Sequence, residues 1–143
     1  MPQMIFVNLP TRDLTAADTF YGALGFEKNT TFSDENASSW MVDPNIWIMC
    51  LKEDFFSTFL RDGETARTGN GGQQMLNALS CDSREHVDEL ARLASTNGGA
   101  IYREAEEPFP GMYSAAVKDP DGHVWEFVWM DMSGDVPTEE SGE

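Results

Sequence analysis

An internal repeat constrains the fold of this chain more than any other feature. The first half opens on an apolar stretch, Met4-Ile5-Phe6-Val7-Asn8-Leu9, which reads as a strand. Asp13 and Thr15 follow as candidate caps of a helix reaching Leu24. Ala17, Phe20, Tyr21 and Leu24 recur at helical spacing and form one apolar stripe, and Gly25 stops the helix. The second half begins again at Gln74-Met75-Leu76-Asn77-Ala78-Leu79-Ser80-Cys81. Asp82 and Glu85 are spaced as a capping box before a second amphipathic helix, whose stripe is Val87, Leu90, Ala91 and Ala94 and whose stop is Gly98-Gly99. Strand-like segments follow each helix: Trp40 to Val42 and Ile46 to Leu51, then Met112 to Lys118 and His123 to Met130. The plan βαβββ therefore occurs twice.

The last turns of the two halves also correspond. Asp43-Pro44-Asn45 precedes the final strand of the first, and Asp119-Pro120-Asp121-Gly122 that of the second. Proline presets φ for a type I turn, and Gly122 accepts the positive φ that closes a hairpin. Between the halves a short helix is expected over Asp54 to Leu60, where Phe55, Phe56 and Phe59 need a surface to cover. The expected organisation is one domain over residues 1–132: module one to about 68, a glycine-rich linker 69–73, and module two from 74. Residues 133–143 read as a disordered acidic tail. Gly69-Asn70-Gly71-Gly72 lacks the Lys-Ser/Thr of a phosphate-binding loop, so no nucleotide site is expected there.

Composition narrows the partners. At 143 residues and 41% hydrophobic content the chain can bury a real core. Its formal charge of -16 repels nucleic acids and anionic membranes. Lysine is confined to Lys28, Lys52 and Lys118. This acidity fits either a solvated surface suited to a saline cytoplasm or the steering of a cationic ligand. The start of the chain lacks the basic patch and unbroken apolar run of a signal peptide, and no stretch is long enough to span a bilayer. Cys50 and Cys81 sit in apolar runs without CxxC spacing, as buried reduced thiols would. These readings set the expectation of a cytoplasmic protein.

Phe20-Tyr21 with Leu24-Gly25-Phe26, and Asp119-Pro120-Asp121-Gly122 with Glu126, resemble two motifs of the vicinal oxygen chelate superfamily, which includes glyoxalase I and the bleomycin-resistance proteins. The resemblance is closest to small lactoylglutathione lyase-like proteins and covers nearly the whole chain to Met132. It implies an α+β fold in which two βαβββ modules form a cupped mixed sheet, with the long helices outside the cup. It also implies a cavity for either a divalent metal or an organic ligand. Carried over residue by residue, the family's four metal-ligand positions fall on Phe6, Ile48, Leu76 and Glu126. One carboxylate among three apolar side chains does not displace a divalent cation's hydration shell, so no metal cofactor is expected. Neither histidine supplies the missing donors: His86 lies on a helix, and alternation points His123 away from Glu126.

The first functional expectation is therefore a metal-free binding module for a small organic molecule. Phe6, Trp40, Ile48, Leu76 and Met112 would line its cavity, with Asn8 and Glu126 as orienting polar groups. For each apolar member of that set, ordinary core packing is an equal alternative. The competing expectations are a glyoxalase- or isomerase-type lyase using Glu126 as base or ligand, and a dimeric interaction protein with a vestigial cavity. The resemblance implies a homodimer, to which Phe55, Phe56 and Phe59 would give apolar area. On the strand His123 to Met130, alternation places Glu126 on the cavity face and Trp125, Phe127 and Trp129 towards the helices. A carboxylate so placed rises in pKa unless a cation or several donors meet it; Asn8, Tyr113 or a backbone amide are candidate partners.

Overall fold

The computed structural model describes residues 2–69 and 71–132. Module one runs β1 (Ile5–Thr11), α1 (Leu14–Ala23), β2 (Glu27–Lys28), a 3-10 turn (Thr30–Phe32), β3 (Ala37–Asp43) and β4 (Ile46–Lys52). A short helix, α2 (Glu53–Ser57), leads into the connection. Module two runs β5 (Leu76–Ser80), α3 (Arg84–Thr96), β6 (Ala100–Phe109), β7 (Met112–Lys118) and β8 (Val124–Met130). The doubled βαβββ plan of an α+β chain is thus present. The strands are hydrogen-bonded as two four-stranded mixed sheets, ordered β1-β4-β3-β2 and β5-β8-β7-β6. In each, the first strand runs parallel to the last and the remaining pairs are antiparallel.

Side-chain alternation divides each sheet into a helix face and an open face. On the helix face Leu9, Trp40, Ile48 and Cys50 of module one meet Ala115, Val117, Trp125 and Phe127 of module two in one buried cluster. The two predicted helix stripes complete it: Ala17, Phe20, Tyr21 and Leu24, with Val87, Leu90, Ala91 and Ala94. Burying a large apolar side chain such as Phe20 or Phe127 stabilises by roughly 1.5–3 kcal/mol, so this shared core ties the modules together. Gly99 permits the contact at its tightest point. A Cβ there would lie 2.4 Å from the Lys118 carbonyl oxygen and 2.5 Å from the Phe20 ring.

Asp13 caps α1 through the backbone amides of Thr15 and Ala16, whereas Thr15 is the helix's second residue. The second cap is shifted from its expected place. Ser83, rather than Asp82, accepts from the His86 amide, because its extended backbone turns the hydroxyl onto the first helical turn. The connecting helix begins at Glu53 and ends at Ser57, earlier than the phenylalanine spacing suggested. Strand β6 carries no buried residue along its length, which is the signature of an edge strand wet on both faces. The expected tail 133–143 lies outside the described residues.

Both cysteines are free and buried. Burial pushes the Cys50 thiol well up, aided by the charge of Asp119, and raises Cys81 to about 11. At pH 8 a thiol with that pKa is ionised in only about one molecule in a thousand. Ellman's reagent is therefore expected to label neither cysteine of the native protein within minutes, and both after unfolding in guanidinium. Fast native labelling at pH 8 would contradict the placement.

Candidate functional site

The two motifs that carry the resemblance meet each other in space. Asp119 accepts the Tyr21 hydroxyl and the backbone amides of Asp121 and His123, and Trp125 Nε1 donates to the Tyr21 oxygen at 2.9 Å. Burial raises the Asp119 carboxyl, opposed by the nearby His123 and by those donors. Burial and then the Asp119 charge push the Tyr21 phenol well up, so Tyr21 keeps its proton and donates it. Asp121 accepts from the Thr11 hydroxyl and, at 2.9 and 3.1 Å, from the Arg12 backbone amide and Nε. His123 Nε2 lies 2.8 Å from the Pro10 carbonyl oxygen. Gly122, at φ 90°, brings this turn against the connection: a Cβ would sit 2.3 Å from the Gly69 carbonyl oxygen. The Asp-Pro-Asp-Gly turn is thus a polar clamp between modules, and His123 is engaged in it rather than solvated.

The open face of module one carries an apolar hollow. A cavity of about 800 Å³ has Met49, Leu51 and Ala37 as its floor. Phe32, from the 3-10 turn, and Phe55, Phe56 and Phe59, from α2 and its exit, form the walls. Phe55 and Phe59 meet edge to face at 5.3 Å. Asp34, the charged side chain at the rim, is already accepting from the Asn36 and Ala37 amides. A second hollow of about 770 Å³ lies where the modules join, bounded by Pro10, the turn at Asp121 to His123, and the connecting residues Thr65, Arg67 to Gly69 and Gly71 to Met75. Asn8 and Phe56 line both.

The expected site residues fall in different places. Asn8 lines the cavities. Phe6 is on the open face but 51% exposed, stacked against Trp47 at 6.3 Å. Leu76 is likewise exposed on the open face of module two, where Met112 pairs with Met130. Trp40 and Ile48 line neither of these hollows: they are paired with each other on the helix face and buried in the core. For Ile48 the error is one residue of register, which puts a side chain on the opposite face. The parallel pairs Asn8 with Met49 and Ala78 with Glu126 make Met49, not Ile48, the counterpart of Glu126. The turn before β4 is one residue shorter than that before β8, and counting this difference in the sequence would have found Met49.

Glu126 points to the open face as expected, and a cation meets it. Arg103 of β6 bonds Glu126 Oε2 at 2.7 Å and reaches Ser114 Oγ at 3.3 Å and Glu106 at 3.6 Å. Of the predicted partners, Tyr113 instead bonds Asp88, and Asn8 bonds the Phe6 carbonyl. The four corrected family positions are therefore Phe6, Met49, Leu76 and an arginine-bound Glu126. This donor set does not fit a divalent metal, which requires several free nitrogen or oxygen ligands. Among the described residues no three His, Cys, Asp or Glu side chains come together as a metal site.

Comparison with known proteins agrees with this architecture. Residues 3–38 match the family model of the bleomycin resistance protein-like N-terminal region. The uncharacterized protein PA2024 of Pseudomonas aeruginosa is 28% identical over 90 residues, 63% of this chain. That stretch spans 60% of the relative's own length. The hypothetical protein SA1046 of S. aureus superposes with a TM-score of 0.73 at 25% identity, covering 90% of this chain and 94% of that one. A glyoxalase/bleomycin resistance protein/dioxygenase family enzyme from Burkholderia phytofirmans gives 0.75 at 21% identity, covering 91% and 100%. A lactoylglutathione lyase from Agrobacterium tumefaciens gives 0.64 at 20%, covering 90% and 94%. The chain has the glyoxalase/bleomycin-resistance fold. The match of residues 3–38 to the bleomycin resistance protein-like N-terminal model points the same way.

Proposed function

We propose that the chain binds a small organic molecule on the open face of module one, without a metal. The observation that carries this reading is the phenylalanine-walled cavity over Met49 and Leu51, large enough for a drug-sized molecule and free of uncommitted acid or base groups. The lyase alternative is less well supported: to act as a base or ligand, Glu126 would first have to release Arg103. A homodimer belongs to the proposal, because Phe6, Phe32, Phe59, Leu76 and Met130 leave apolar area open. So does a cytoplasmic address, with which two free thiols agree. Among the described residues, no helix is long and apolar enough to cross a membrane.

Calorimetric titration of EDTA-treated protein with phenylbutyramide, a neutral aryl probe, tests the proposal. Saturable binding that is unchanged on adding zinc or nickel is expected. Binding that appears only with the metal would overturn it.

A further inference from the structure

The apolar cavity and the hollow at the module junction share Asn8 and Phe56, so the two adjoin and a ligand longer than the first can reach the second. Their chemistry differs. The first is walled by phenylalanine rings. The second presents side-chain amides, Asn8, Gln73, Gln74 and Asn77, together with the guanidinium of Arg67.

Charge in the second hollow is distributed unevenly. Asp121 is committed to Thr11 and Arg12, and His123 Nε2 to the Pro10 carbonyl. Arg67, Gln74 and Asn77 have side chains bonded to no described residue. In a chain of formal charge -16, the available charge at the end of this cavity is therefore positive. An acidic surface alone would favour a cationic ligand, but contact at the site is decided by the groups that line it, and exposed charges further than about 10 Å are screened at 0.1 M salt.

We propose that the ligand is amphipathic and anionic: an apolar, aromatic-sized body among Phe32, Phe55 and Phe59, and a carboxylate-type head paired with Arg67 beside the amides of Asn8, Gln74 and Asn77. The planar guanidinium can take a carboxylate in two parallel hydrogen bonds, and the amides supply further donors. This inference rests on the proposed cavity and adds the polarity of what enters it.

Three probes with one skeleton separate the two readings: phenylbutyrate, phenylbutyramide and phenylbutylamine, titrated calorimetrically at about 0.1 M salt. Phenylbutyrate is expected to bind about tenfold more tightly than phenylbutyramide, as one charge-assisted pair allows, and phenylbutylamine most weakly. Arg67→Gln should remove the advantage of phenylbutyrate while weakening phenylbutyramide far less, and Arg67→Lys should restore part of that advantage. Phe59→Ala, at a side chain 63% exposed, should weaken all three without unfolding the protein. If Phe59→Ala weakens every probe but Arg67→Gln leaves the preference intact, or the amine binds best, the anionic head is wrong and the cavity reading survives. If no probe binds, or Phe59→Ala changes nothing, the cavity reading falls and the head assignment with it.

Discussion

Asp121→Ala is expected to lower folding stability by about 3 kcal/mol, measured by urea denaturation at pH 7 with tryptophan fluorescence. The carboxylate is 3% exposed and holds the buried Thr11 hydroxyl and the Arg12 backbone amide across the module boundary. Leaving either donor unpaired costs roughly 1–3 kcal/mol. The Arg12 guanidinium adds little, because its side chain is 53% exposed and water replaces its partner. The same variant should loosen the turn that positions Gly122 against Gly69. A loss below about 1 kcal/mol would mean that the Asp-Pro-Asp-Gly turn does not clamp the modules.

Phe127→Ala is expected to cost about 4 kcal/mol, while Glu126→Gln, its neighbour on β8, changes stability by less than about 1 kcal/mol. The asymmetry follows from alternation. Phe127 is fully buried in the core shared by both modules, and its loss leaves a cavity that rigid neighbours fill poorly. Glu126 faces outward with its side chain 23% exposed, bonded to an Arg103 that is 35% exposed, so water screens the pair. Binding of phenylbutyramide should be unaffected by Glu126→Gln, since Glu126 lies on module two, outside both hollows. Denaturation curves for the two variants check this directly. A Glu126→Gln loss as large as that of Phe127→Ala would place the carboxylate in the scaffold.

The repeat, the helix stripes and the outward aim of Glu126 were legible in the sequence because each depends on local periodicity. Phe20 and Tyr21 at helical spacing had to face one core, and Trp125 and Phe127 had to alternate with Glu126. What escaped depended on relations between segments. Ile48 in place of Met49 arose from a single residue of turn length, which pattern alone does not register. Arg103 was missed because β6 is an exposed edge strand, so its Ile101-Tyr102-Arg103-Glu104 sequence lacks the apolar alternation that marks a strand. The cavity walls were visible as Phe55, Phe56 and Phe59, and their need for a surface was recognised. That Phe32 joins them, and that Met49 and Leu51 lie beneath, required the fold to bring residues 32, 49 and 59 together.

Amide chemical-shift mapping of the EDTA-treated protein with phenylbutyramide tests the central claim most directly, because it locates the ligand as well as detecting it. Saturating shifts are expected at Ala37, Met49, Leu51 and the segment 55–59, with Ala78 and Glu126 unmoved. Shifts confined to Ala78, Ala116 and Glu126 on module two would contradict the account.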